Sequence, residues 1–164
     1  MCYRDRVDSV EDGRDRDSLG RARNARPRDE LGRPLPRGTP GVERTPDDLR
    51  LPPLEALVEA QRLLDADRAF QAHEVLEGTW KSAAAPEREL WRGLAQLAVG
   101  LTHLRRGNPN GAIALLRRAA DRISPYAHDP PYGLAVGELA AWARDSADRL
   151  AGGAEPAPPP RLVT

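Results

Sequence analysis

The stretch Pro86 to Ile123, PERELWRGLAQLAVGLTHLRRGNPNGAIALLRRAADRI, decides the fold. Leu90, Leu94, Leu97, Leu101 and Leu104 recur three and four positions apart, which places them on one ridge of an α-helix. Gly107 then supplies a left-handed stop, Asn108 has the side chain of an N-cap, and Pro109 suits a first helical turn. The segment therefore reads as a helical hairpin, two helices joined by a very short turn and packed antiparallel.

Working outward, the same periodicity predicts three more helices. One runs from about Leu51 to Asp65, with Leu54, Leu57, Val58 and Leu64 expected on its buried face. A second covers about Arg68 to Lys81, before the AAAP loop, and a last one runs from about Leu134 to Leu150 with Leu139 and Trp142 inward. No alternating apolar and polar stretch is long enough to suggest a sheet. The expected fold is all-α, a compact bundle of about five helices built from antiparallel hairpins.

The flanks differ in composition. Residues 1–48 are rich in Arg, Asp, Pro and Gly with few apolar side chains, too little to offset the entropy of ordering, and read as a disordered arm. The Pro- and Gly-dense second half of this arm has two courses open to it, a tether or a path along the domain surface. The helical domain is expected over 49–151, and the remainder, 152–164, reads as a disordered tail.

With 25 basic and 25 acidic residues the formal net charge is zero, which removes the concentrated positive surface that nucleic acid requires. Lys81 is the sole lysine, so the abundance of Arg reflects a compositional bias and carries no functional weight. The one cysteine, Cys2, cannot form an internal disulfide, which suits a reducing compartment. The N-terminal MCYRDRVDSVEDGRDRD lacks the apolar core of a secretory signal, and nothing approaches the roughly 20 apolar residues of a membrane span. A cytoplasmic location is expected, with no membrane partner.

On a helical wheel, His73 and Glu77 fall on the expected inward face of the second helix, spaced i, i+4, with Glu74 at its edge. The third helix carries a comparable row, Arg92, Gln96 and His103, beside Gly93 and Gly100. A polar row on a central helix must find partners. If the two glycines let the second and third helices approach closely, His73, Glu74, Glu77, Arg92, Gln96 and His103 would form one polar cluster between them.

AFQAHEVLEGTW followed by WRGLAQLAVGLTHLRRGNPNGAIALLRRA resembles the bacterial family known as domain of unknown function 309. The matching elements are Phe70, His73-Glu74, Glu77 and Trp80, then Arg92-Gly93-Leu94, Gln96, His103, and Gly107-Asn108 with Gly111-Ala112. The similarity extends over about residues 54 to 124. It implies an all-helical fold and brings no substrate with it.

Several chemistries fit these residues. His73-Glu74-x-x-Glu77 compares with the zinc motif H-E-x-x-H, but Glu77 stands where the second His belongs. A single divalent metal would need His73, Glu77 and a third ligand, for which His103 is the candidate. Alternatively the cluster is an acid/base or small-ligand site, with Arg92 holding an anion and His73 moving protons. The plainer reading is a hydrogen-bonded network that fixes how two helices dock. Trp80, Trp91 and Trp142 are expected to anchor the core, and His128 to be a solvated loop residue. A different class of function, a protein-interaction module or homo-oligomer, follows from the helix-hairpin repeat character of GNPNGAIALLRRAADRI, and predicts exposed apolar surface on the first or last helix.

Overall fold

The computed structural model describes residues 27–36, 38–41, 46 and 49–163. Five helices follow one another: α1 (Pro53–Asp65), α2 (Ala69–Ser82), α3 (Ala85–Arg105), α4 (Pro109–Ile123) and α5 (Val136–Ala151). Two single 3-10 turns, Ser124–Tyr126 and Pro131–Gly133, connect α4 to α5. No strand occurs among the described residues, so the all-α expectation holds.

Close packing runs in chain order, α1 on α2, α2 on α3, α3 on α4 and α4 on α5. The central helix α3 buries Leu90, Trp91, Leu94 and Leu97 into a single core that also takes Leu57, Leu76, Leu116, Ile123 and Leu139. Its tightest neighbour is α4. A Cβ placed on Gly93 would lie 2.5 Å from Ile123 Cγ2, and one on Gly100 would lie 3.0 Å from Leu116 Cδ2. The two glycines thus admit α4, not α2 as the sequence suggested. The reason is register: the face that carries Gly93 and Gly100 is the one that the short Gly107-Asn108 turn folds α4 onto.

That turn has a full local explanation. Gly107 adopts φ 71°, a conformation favourable only for glycine, and the Asn108 side chain accepts from the Gly111 amide at 3.1 Å.

On α1 the buried side chains are Ala56, Leu57, Ala60 and Leu63. Leu54 and Val58, expected inward, are instead 57% and 70% exposed. The helix turns its alanine side toward α2, because small side chains let two backbones approach closely, and the bulkier stripe is left facing out.

Both flanks depart from simple disorder. Of the N-terminal arm, residues 1–26 lie outside the described residues. Residues 27–36 form a tight loop on the domain, the surface course and not the tether. Asp29 Oδ1 accepts from the amides of Leu31 and Arg33 at 3.0 and 2.9 Å, and Gly32 turns at φ 74°. The tail expectation is corrected more fully, since residues up to Val163 pack on the domain. Leu162 is 1% exposed, its carbonyl accepts from Ala135 N at 2.9 Å, and Trp142 Nε1 donates to Ala157 O at 2.8 Å. One buried leucine and three flanking prolines, whose φ is fixed in advance, lower the entropy cost that the composition seemed to forbid.

The candidate polar site on α2

The second helix places the half-buried Phe70, His73 and Glu77 and the exposed Lys81 along one row, each about one helical turn from the next. Phe70 is covered from the N-terminal side. A Cβ on Gly32 would lie 2.2 Å from its Cγ, so only glycine lets the 27–36 loop pass over the ring. The guanidinium carbons of Arg28 and Arg106 stand 5.0 and 5.8 Å from the ring centroid, a cation–π clamp, and Arg106 Nε also donates to Leu31 O at 2.9 Å. Phe70 in turn covers His73, at 5.5 Å between ring centroids.

His73 Nε2 is 3.5 Å from Glu77 Oε2, an electrostatic contact at the outer limit of hydrogen bonding. Glu77 Oε1 is closer to Lys81 Nζ, at 3.2 Å. The His73 Nδ1 is buried with no hydrogen-bond partner among the described residues. Desolvation lowers the His73 pKa below the usual 6.5, against the opposing pull of the Glu77 carboxylate and the Phe70 backbone, so the imidazole is neutral at pH 7. Glu74 is half-buried at the edge of the row.

The residues expected on α3 do not join this pair. Arg92 lies over the Trp80 ring at 5.4 Å and faces Glu89 at 3.8 Å. Gln96 Oε1 accepts from Arg122 Nε of α4 at 3.1 Å, and Arg122 also pairs with Glu89. His103 Nδ1 lies 3.0 Å from Asn108 Nδ2 at the start of α4. Because Asn108 Oδ1 is committed to the Gly111 amide, its NH2 must donate to His103, which makes Nδ1 the acceptor and leaves the proton on Nε2. Desolvation and then Arg106 lower the His103 pKa, in keeping with a neutral ring. The six polar residues therefore divide: His73, Glu74 and Glu77 stay on α2, Arg92 of α3 reaches over α2's Trp80, and Gln96 and His103 of α3 turn to partners at α4.

The three residues expected as metal ligands, His73, Glu77 and His103, do not come together. With His103 turned toward α4, no third donor among the described residues joins His73 and Glu77. Among the described residues no group of three His, Cys, Asp or Glu could hold a metal ion. The His73–Glu77 pair can exchange a proton with something that reaches it.

Trp91 is fully buried and its Nε1 donates to Glu87 at 3.2 Å, while the Tyr132 hydroxyl donates to the same carboxylate at 2.9 Å. Trp80 and Trp142 pack against or within the core, and His128 is exposed in its loop. Sequence reasoning missed three partners: Lys81 for Glu77, Arg122 for Gln96 and Gly32 for Phe70. The first was open to view, since a Lys four residues after a Glu on a helix meets it.

Fold and site together define an all-α protein of stacked helix hairpins. Residues 57–115 match the model of the family described as domain of unknown function, DUF309, and the resemblance read from the α2 and α3 motifs holds from within α1 to the middle of α4. No curated protein and no solved structure matches the chain. No helix among the described residues is long and apolar enough to cross a membrane.

Proposed function

We propose that this protein is a protein-interaction module whose docking face is the outer side of α1, and that the face docks a second copy of the chain. One observation carries the reading. Among the described residues Leu54 and Val58 are the large hydrophobic side chains left exposed, and they stand one turn apart on the same helix. With Leu49 and Leu51 they line a shallow concavity of about 520 Å³ rimmed by Glu55 and Glu59. An exposed apolar patch with a charged rim is the signature of an association surface.

Charge pattern favours a second copy. Glu55 lies in the first turn of α1 and Arg62 in the last. Two α1 helices packed antiparallel about a two-fold axis bring each Glu55 beside the partner's Arg62 and oppose the two helix dipoles, an isologous and closed arrangement. Burying Leu54 and Val58 from both copies contributes roughly 1.5–3 kcal/mol per side chain at most, from which the cost of association is subtracted, so the dimer is micromolar or weaker. A cytoplasmic location accords with the single cysteine, and the zero net charge gives no ground for a nucleic-acid partner.

Sedimentation equilibrium of the full chain tests this. A monomer–dimer equilibrium is expected, weakened at least about tenfold by the double substitution Leu54→Asp and Val58→Asp, each of which places a charge in the contact. A chain that stays monomeric at several hundred micromolar, or a dimer indifferent to the substitutions, would contradict the proposal.

A further inference from the structure

Residues 27–35 close on themselves before they meet the helices. Leu35 N donates to Pro27 O at 2.7 Å, Gly32 N donates to Asp29 O at 2.9 Å, and Asp29 pairs with Arg33 at 2.7 Å. The loop then meets the helices at the Phe70 ring. Gly32 lies against that ring with no room for a Cβ, the Arg28 guanidinium stands 5.0 Å from its centroid, and Arg106, at 5.8 Å, also donates to Leu31 O.

On the other side of Phe70 lies a titratable group, His73, at 5.5 Å between ring centroids. Its Nε2 faces Glu77, so the neutral ring carries its proton there and Nδ1 is bare. Nδ1 is buried without a hydrogen-bond partner among the described residues. A proton taken up at that atom makes a cation shielded from water, which is costly. Desolvation is the largest influence against it, and the charged groups around it divide. On α2, Glu77 and the Phe70 backbone favour the cation and Lys81 opposes it, while Arg28 opposes it from the loop. Arg106, at the end of α3, adds a second positive charge beside Phe70. Hydrating a protonated His73 requires Phe70 to turn aside, and that removes the seat of the loop.

We propose that residues 27–36 form a proton-sensitive latch, seated on Phe70 while His73 is neutral and lifted off when His73 takes up a proton, which bares Phe70 and the His73–Glu77 pair. Docking and protonation are linked reciprocally: the seated loop disfavours the proton, and the proton disfavours the seated loop by the same factor. Because burial holds the His73 pKa below the usual 6.5 while the loop is seated, docking has its full strength above that value and weakens as pH falls below it.

Nuclear magnetic resonance of the full chain, from pH 8 down to the pH at which the helices unfold, tests the linkage. The Gly32 Hα, held against the Phe70 ring, should carry an upfield ring-current shift at pH 8. That shift should disappear with the same midpoint as the His73 Hε1 titration, while the amide signals of α3 stay in place. In His73→Gln it should persist until the helices unfold. Gly32→Ala adds a Cβ that the seated loop cannot accommodate, at a φ of 74° that alanine disfavours, so the loop should be released at every pH. The His73 midpoint should then rise by about half a unit or more. A Gly32 signal that keeps its shift through the His73 titration, a shift lost only together with the α3 amides, or a His73 midpoint unmoved in Gly32→Ala would overturn the proposal.

Discussion

At the scale of single residues, the two helix-borne imidazoles that the sequence singles out stand in different surroundings. His103 joins the end of α3 to the start of α4 by accepting from Asn108, whose other side-chain atom caps α4 at Gly111. A Cβ on Gly111 would lie 2.6 Å from Asn108 Nδ2 and 2.9 Å from His103 Nδ1, so the glycine is part of the same joint. His73 is kept neutral by burial beneath Phe70, chiefly through desolvation. Both imidazoles have folded-state pKa values depressed below the usual 6.5. The unfolded chain therefore binds more protons than the native one as pH falls below that value, and the stability that neutral His73 and His103 support above pH 6.5 is lost on acidification. Denaturant unfolding should show a midpoint that falls between pH 7 and pH 5, with part of the fall removed in His103→Asn. A midpoint that rises over that interval would contradict this account.

At the scale of elements, α3 and α4 form the tightest pair, and glycine sets their distance. Gly93→Ala should destabilise by about 1–3 kcal/mol, because the new methyl meets Ile123 Cγ2 at 2.5 Å and must displace a side chain that is fully buried. Gly137→Ala in the first turn of α5 meets nothing within 4 Å and should be neutral or stabilising by up to about 1 kcal/mol. Thermal unfolding of the two variants separates packing from propensity, and equal effects would remove the close-approach argument. Helix boundaries were legible in the sequence, since Gly107, Asn108, Pro109 and Pro86 are local signals that act through backbone geometry. Which helix a polar stripe faces was not. Arg92, Gln96 and His103 share one helix, but a wheel fixes their angle and leaves their neighbour open, and α4 competes with α2 for that side. The α1 face was misread for a related reason: Ala56 and Ala60 are weak hydrophobes on any scale, yet their small size lets α1 pack closely.

At the scale of the whole molecule, five helices stacked in chain order leave two surfaces beside α1. One, between α1 and α5, is crossed by residues 154–163, which bury Leu162 there. The other, the outer side of α1, is open. The fold class was legible because periodicity reports on helices directly, whereas the docking of the two flanks depended on single anchors, Leu162 in one and Gly32 over Phe70 in the other, that composition averages away. The exposed face of α1 is the account's central claim, and cysteine trapping tests its geometry most directly. In a Cys2→Ser chain, Val58→Cys lies near the proposed two-fold axis, where two copies bring Cα atoms within the roughly 7 Å that a disulfide spans. Oxidation should link Val58→Cys chains into covalent dimers far faster than chains with Ala114→Cys, an exposed position on α4. Equal linking at the two positions would contradict association through α1.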